Sequence, residues 1–183
     1  VLILAKIRSN MLKRQTIGFI CLIVLVSLLR FLPHPPNMTP VIAISILSVA
    51  FFERRLIQFG FPLLIMLITD AVIGFHALVP VVYFAIVVSG LSGYLLKHNT
   101  RFANMLGSGL IGSILFFVIT NVGVWLTSTL YPLTLVGLSA CFVAAIPFFH
   151  NTVMSTVGVM MGIYILNGCV VNAISKQSLL YKS

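Results

Sequence analysis

The chain has 183 residues, of which 60% are apolar and only 7% charged, with 11 lysines and arginines against two acids and a formal net charge of +9. This composition excludes a water-soluble globule, because such a chain would expose a large apolar surface. The basic residues are spread over short segments and have no aromatic residues between them. This pattern indicates that they set the orientation of the chain in the membrane and contact lipid headgroups, and it predicts no nucleic-acid partner. We therefore predict an all-α, polytopic membrane protein whose solvent is the lipid bilayer.

Six apolar segments follow one another, and each is predicted to be a transmembrane helix, since a span needs about 20 residues. They cover residues 16–32, 39–52, 56–75, 77–96, 103–126 and 152–174, within one integral membrane domain over 1–183. The second span is short, about 20 Å at 1.5 Å per residue. We expect it to thin the membrane, to use its flanks or to be buried behind its neighbours. Pro40 is predicted as its first helical residue, after a Thr39 N-cap.

Residues 131–149 are apolar enough for a seventh span but contain Pro132, Gly137 and Pro147. A seventh span would put Lys176 and Lys182 outside, against the rule that basic loops stay in the cytoplasm. We predict instead a short outer-face helix at about 134–146 that lies over the bundle, separate from the sixth span.

Ten of the 11 basic residues lie in alternate gaps between the apolar segments. They are Lys6, Arg8, Lys13, Arg14, Arg54, Arg55, Lys97, Arg101, Lys176 and Lys182. Arg30 alone lies on the other side. Since basic residues near helix ends are retained inside, this pattern predicts cytoplasmic N and C termini.

Pairs of small residues four positions apart predict close helix packing in the last three spans. The pairs are Ser89 and Gly93, Gly109 and Ser113, and Gly158 and Gly162. The last pair shares a helical stripe with Asn151 and Ser155, so we expect that stripe to face protein or a cavity.

Polar side chains that are costly in a bilayer gather near the predicted outer face, and we take them as candidate substrate-binding residues. They are His34, Asn37, Asp70, His76, Asn121, Trp125, His150 and Asn151. Asp70 requires an explanation, because an ionised Asp in a span costs roughly 2.5–3.5 kcal/mol. It either helps to line an outward-facing cavity for a small solute or forms a structural interaction with Arg30 or a nearby hydroxyl.

Neither a metal site nor a cofactor is predicted. Cys21 and Cys169 lie within apolar runs and Cys141 on the outer side, with no paired spacing. Soft or borderline metal ligands are available from His34, His76, His150 and Cys141, but each alone is better explained as a hydrogen-bonded or interfacial residue. The three outer histidines leave one hypothesis, an axial ligand for a corrinoid, which would be a bound ligand and not a cofactor.

Enzyme motifs are weak. The GLSG sequence at 90–93 matches a serine motif of six-span intramembrane proteases. However, Ser92 lies near the predicted cytoplasmic end, and the sixth span has no histidine to act as its base. No nucleotide-binding loop or zinc-hydrolase motif occurs. We predict that the chain is not an enzyme and keep an intramembrane hydrolase as the least favoured alternative.

The chain contains the motifs RFLPHPPNMTP at 30–40, TD at 69–70 with GFH at 74–76, FF at 116–117 with TN at 120–121 and Trp125, YP at 131–132, and PFF at 147–149 with NT at 151–152. Together these motifs resemble those of a family of uncharacterised bacterial six-span membrane proteins. That family is similar in size and topology to the S-components of energy-coupling-factor (ECF) vitamin transporters, a group that includes solitary cobalamin transporters. The resemblance implies a bacterial inner membrane location, with a transmembrane coupling subunit and ATPases as partners. The first span, however, lacks the alanines of the usual Ala-xxx-Ala docking pattern.

The predicted function is therefore that of a substrate-binding membrane subunit for uptake of a small solute, a vitamin or related nutrient. The solute would be captured in an outward-facing cavity with the 131–149 segment as a lid. Energy would come from a partner ATPase complex or from a gradient, with Asp70 available for proton coupling. The alternative is a non-transporting membrane scaffold or assembly protein, in which the outer polar residues pair with one another.

Overall fold

The computed structural model describes residues 24, 28–33, 35–97 and 99–180, with side chains described as far as residue 166 apart from that of residue 29. The described residues form helices and short loops and contain no strand. The helices are α1 (Val41–Phe51), α2 (Arg55–Ile73), α3 (Val79–Gly90), α4 (Phe102–Thr127) and α5 (Leu135–Leu180). Short 3-10 helices occupy Leu28–Phe31 and Leu91–Leu96, the second continuing directly from α3. The predicted all-α class is confirmed over this part of the chain.

Four helical stretches are long and apolar enough to cross a membrane. They are Arg55–Ile73, Val79–Leu96, Phe102–Thr127 and Leu135–Leu166. The first three lie within two residues of the predicted spans at both ends. The chain is thus a multi-pass membrane protein by the length and composition of its helices. Most of the predicted first span, 16–32, lies outside the described residues.

Helix α1 lies where the sequence predicts the short second span, but with 11 residues and a length of about 17 Å it is not among the helices long enough to cross a membrane. Every residue from Val41 to Val49 is buried, so α1 is buried behind its neighbours, as expected for a helix that is apolar on all sides. The predicted Thr39 cap is wrong. Pro40 is the N-cap residue and has a ψ of 2°, outside the helical range, and no side chain caps the helix.

Glycines let the neighbouring helices approach α1 and each other closely. A Cβ added to Gly93 would lie 2.2 Å from the carbonyl oxygen of Ile46, and one on Gly109 would lie 3.1 Å from the Met160 sulfur. The predicted close packing is confirmed at these two positions. Gly158 and Gly162 are exposed and have no described atom within 4 Å of an added Cβ, so no described helix packs closely against them.

Helix α5 runs for 46 residues, about 69 Å, without a break. The predicted outer-face helix and the predicted sixth span are therefore parts of one helix, and the separation expected at Pro147 is wrong. Pro147 removes one backbone donor, but α4 supports the helix on both sides of it: Phe117 packs against Phe142 with ring centroids 5.4 Å apart and against Phe149 at 4.7 Å. Such support lets apolar helices continue through proline.

The depth at which α1 begins creates an open space at one end of the bundle. Val41, the first residue of α1, packs against Met66 and Ile86. Met66 lies seven residues before the end of α2 at Ile73, and Ile86 lies seven residues after the start of α3 at Val79. Helix α1 therefore begins about 10 Å below the ends of its neighbours, and the volume above it is left for the chain that enters α1.

Candidate functional site

The segment that enters α1 cannot extend the helix upward, because it carries four prolines between residues 33 and 40. The N–H of Met38 donates to the carbonyl oxygen of Pro35 at 3.0 Å and closes a β-turn. Asn37 has a φ of 62° and follows Pro36, which makes this a type II turn. The turn brings the Asn37 side chain to the space above α1.

A cavity of about 520 Å³ occupies this space. Its volume falls within the range of roughly 300–1,000 Å³ that is typical of small-molecule sites. The walls come from the segment before α1, from all five helices, and from the loops after α2 and α4. The polar and aromatic lining residues are Arg30, Asn37, Thr39, His76, Phe116, Thr120, Asn121, Tyr131, Cys141 and Phe148.

The structure brings three of the eight predicted site residues into the cavity wall: Asn37, His76 and Asn121. His34 lies outside the described residues. The other four, Asp70, Trp125, His150 and Asn151, are not among the lining residues. The His150 side chain is exposed on α5.

Asp70 forms the ion pair with Arg30 that the sequence left open as its structural explanation. Arg30 Nη2 lies 2.8 Å from Asp70 Oδ1, and the side chains are 12% and 4% exposed. The Tyr83 hydroxyl donates to Asp70 Oδ2 at 3.0 Å, so both carboxylate oxygens have donors. Arg30 Nη1 donates to Thr69 Oγ1 and lies 3.0 Å from Met66 Sδ. Arg30 thus stands between Asp70 and the cavity.

Trp125 and Asn151 bind the backbone of loops at the same end of the bundle. Trp125 Nε1 donates to the carbonyl oxygen of Pro132 at 3.0 Å. Asn151 Nδ2 donates to the carbonyl oxygen of Pro36 at 3.0 Å and so attaches α5 to the turn at 35–38. The loop held by Trp125 supplies Tyr131 to the cavity wall. Both side chains therefore act on the cavity through the loops that they hold.

Helices α4 and α5 contribute lining residues that the sequence analysis did not select. They recur at the three- and four-residue spacing of a single helix face: Phe116, Thr120 and Val124 on α4, and Cys141, Ala144, Ala145 and Phe148 on α5. That spacing was the signal that could have found them. Asn121 Nδ2 donates to the carbonyl oxygen of Phe117 at 2.7 Å, and no described residue donates to its Oδ1. This oxygen is available to a bound molecule.

The described part of the chain shows neither a metal-binding cluster nor a catalytic arrangement around Ser92. Those residues contain no group of three or more His, Cys, Asp or Glu side chains placed to hold a metal ion. Ser92 is buried toward the opposite end of the bundle, with its hydroxyl 2.8 Å from the carbonyl oxygen of Ser89 and 2.9 Å from that of Ser108. This hydroxyl is held by backbone carbonyls and makes no hydrogen bond to a described basic side chain.

One family model matches the chain over residues 10–174, with the description "Family of unknown function (DUF6580)". No curated protein and no solved structure matches the chain. The match covers most of the chain and brings no activity with it.

Proposed function

The chain belongs to DUF6580, a family of unknown function, and we propose from the geometry of the cavity that it captures a small solute at the outer face of a membrane for uptake. The observation that carries the proposal is the cavity of about 520 Å³ at one end of the helix bundle. Its mixture of apolar walls with a few convergent polar groups is typical of small-molecule sites. Asn37, His76 and Asn121 supply such groups from three different segments.

The charge distribution supports an outward-facing cavity. Arg54 and Arg55 lie at the start of α2, and Lys97 and Arg101 lie between the 3-10 helix Leu91–Leu96 and α4. All four are at the end of the bundle opposite the cavity. Because basic loops stay in the cytoplasm, the cavity faces the outside and the termini lie inside, in the inner membrane of a bacterium as the sequence resemblance implies.

The cavity volume favours a vitamin or nutrient of ordinary size. A corrinoid with its nucleotide tail is far larger than the drug-sized molecules that a site of about 520 Å³ encloses. Energy for uptake would come from a coupling subunit with ATPases, as in the ECF transporters. A proton gradient coupled through Asp70 is less favoured, because Arg30 and Tyr83 already hold both oxygens of that carboxylate.

The lid of the cavity is the loop of residues 128–134, a shorter segment than the 131–149 stretch that the sequence suggested. Leu130 and Tyr131 line the cavity from this loop. The hydrogen bond from Trp125 to Pro132 holds the loop to α4. Helix α5 begins directly after the loop, where Thr134 Oγ1 accepts the N–H of Gly137 at 3.1 Å as an N-cap.

A thermal-shift screen of the purified protein against water-soluble vitamins, corrinoids and metal ions tests this proposal. At least one small solute should raise the melting temperature in a concentration-dependent way. Ala144→Phe should abolish the shift, because Ala144 is exposed to the cavity and the larger side chain fills it. Ala140→Phe is the matched control on the same helix, exposed but outside the lining. Its shift should equal that of the wild type.

Two asparagines on α4 provide a second matched pair. Asn121 lines the cavity, whereas Asn104 lies at the other end of α4 and donates to the carbonyl oxygen of Asn99 at 2.9 Å. Asn121→Ala should weaken binding and Asn104→Ala should not. Equal effects of the two changes would contradict a site in the cavity.

A membrane scaffold is the second candidate function, favoured by the hydrogen bonds of Asp70, Trp125 and Asn151 to other parts of the chain. These contacts are what a purely structural role predicts. A folded wild-type protein that shows no shift with any solute would move the conclusion to a scaffold.

A further inference from the structure

Charge is distributed asymmetrically around the cavity. The chain has only two acids, Glu53 and Asp70, and neither lines it. Glu53 lies at the opposite end of the bundle, between α1 and α2, and Asp70 lies behind Arg30. Arg30 is therefore the one formally charged side chain at pH 7 among the described lining residues, apart from the titratable His76. The positive end of the ion pair faces the site.

The guanidinium of Arg30 has donors to spare. An arginine carries five N–H groups in a planar fork. Three are directed at Met66 Sδ, Thr69 Oγ1 and Asp70 Oδ1. No described residue accepts from Nε–H or from the second Nη2–H. Because Arg30 lines the cavity, these two N–H groups can donate to a ligand oxygen there, and hydrogen bonds from a charged donor are stronger than neutral ones.

The backbone at the start of α1 adds donors of the same sign next to Arg30. The first N–H of α1 with a backbone acceptor is that of Ile44, which donates to Pro40. The N–H groups of Val41 and Ile42 have no described acceptor, and both residues line the cavity. Met66, which Arg30 contacts, also packs against Val41. The helix dipole strengthens the positive potential at this point.

We propose that the solute carries a single anionic group, a carboxylate in the simplest case, that accepts hydrogen bonds from Arg30 and from the first N–H groups of α1. The rest of the solute packs against Phe116, Tyr131 and Phe148. This inference rests on the proposed function and adds the chemical class of the ligand. It excludes cationic nutrients, because the described lining contains no acid to pair with them.

Matched acid and amide pairs test the charge requirement on the wild-type protein. The probes are nicotinate with nicotinamide, pantothenate with pantothenamide, and biotin with biotin amide, together with the cation thiamine, titrated at pH 7 into protein in lipid nanodiscs. The fluorescence of Trp125, the single tryptophan, reports binding because its indole holds the loop over the cavity. In at least one pair the carboxylate should bind more tightly by at least about tenfold, since charge-assisted hydrogen bonds are roughly twice as strong as neutral ones.

A charge-neutral variant then assigns the preference to Arg30. Arg30→Gln combined with Asp70→Asn removes both charges and leaves no unpaired ion, and the ratio of acid to amide affinity should fall toward one. Arg101→Gln, at the opposite end of the bundle, removes one positive charge as the control and should keep the ratio. A ratio unchanged in the double variant would show that Arg30 does not bind the anion.

The wild-type titrations separate failure of this inference from failure of the proposed function. Equal binding of acids and amides, or tighter binding of the neutral or a cationic solute, would overturn the anion requirement while a solute-binding cavity stands. Absence of binding by every acid, amide and cation would overturn both. The result does not depend on whether the double variant folds.

Discussion

Removal of one member of the Arg30–Asp70 pair should destabilise the protein severely. In Asp70→Asn the Arg30 cation keeps its largely buried position, 12% exposed, but loses the carboxylate 2.8 Å away. Breaking a buried ion pair from one side costs about 3–5 kcal/mol, because an uncompensated charge is left behind. We expect a loss of that size for Asp70→Asn and a similar loss for Arg30→Gln, where the carboxylate is left.

The double variant, Arg30→Gln with Asp70→Asn, should recover most of this loss. It leaves two neutral amides that can hydrogen-bond with each other and with Tyr83, and buried pairs replaced as a unit are often close to neutral in stability. The double-mutant cycle should therefore give a coupling free energy of at least about 2 kcal/mol. Arg101→Gln, an exposed change far from the pair, should stay within about 0.5 kcal/mol of the wild type.

Reversible unfolding in mixed micelles, followed by Trp125 fluorescence, gives the free energies for the four proteins. Additive losses in the double variant would refute a direct interaction between the two side chains. A loss below about 1 kcal/mol in Asp70→Asn would also refute the reasoning, since it would mean that water reaches and screens the pair.

Three further predictions concern packing and orientation. Gly93→Ala should cost about 1–3 kcal/mol, because its Cβ would lie 2.2 Å from the Ile46 carbonyl oxygen; a neutral result in the same unfolding assay would contradict the close approach. Gly158→Ala should stabilise α5 by about 0.5–1 kcal/mol, because no described atom lies near its Cβ and alanine is the better helix former. In a cysteine-free background, Thr129→Cys, in the loop over the cavity, should react with an impermeant maleimide in intact cells and Thr100→Cys, at the opposite end, should not; both threonines are exposed, and the reverse pattern would place the cavity in the cytoplasm.

Hydropathy predicted the helices well where the apolar runs end at charged or turn-forming residues. The third, fourth and fifth spans agree with the structure within two residues at each end. The predicted break between the outer-face helix and the sixth span was wrong, because Pro147 was treated as a helix breaker. Pro62 lies inside α2 in the same way, and the prediction for that span correctly continued through it. Whether proline ends an apolar helix depends on support from neighbouring helices, which a single sequence does not contain.

The end of the bundle that carries the site was predictable, but the role of each polar residue was not. Arg30 is the one basic residue that the sequence places on the outer side of the membrane, and in the structure it lines the cavity. The choice between a ligand-binding and an ion-paired Asp70 depends on a contact between residues 40 positions apart, for which local spacing carries no signal. Asn37 and Asn121 reach the cavity, whereas Asn151 binds the backbone of Pro36.

The depth of α1 explains why a chain with so few polar groups gathers several of them in one place. Because α1 begins about 10 Å below the ends of α2 and α3, the chain above it must run through the bundle without helical hydrogen bonds. Non-helical backbone at membrane depth is tolerated only where protein covers it or where it lines a water-filled cavity. The prolines at 33–40 make this segment non-helical. It lines the cavity through Asn37 and Thr39 and accepts a hydrogen bond from Asn151 at Pro36. A longer α1 would therefore remove both the need for these polar side chains and the room for a solute.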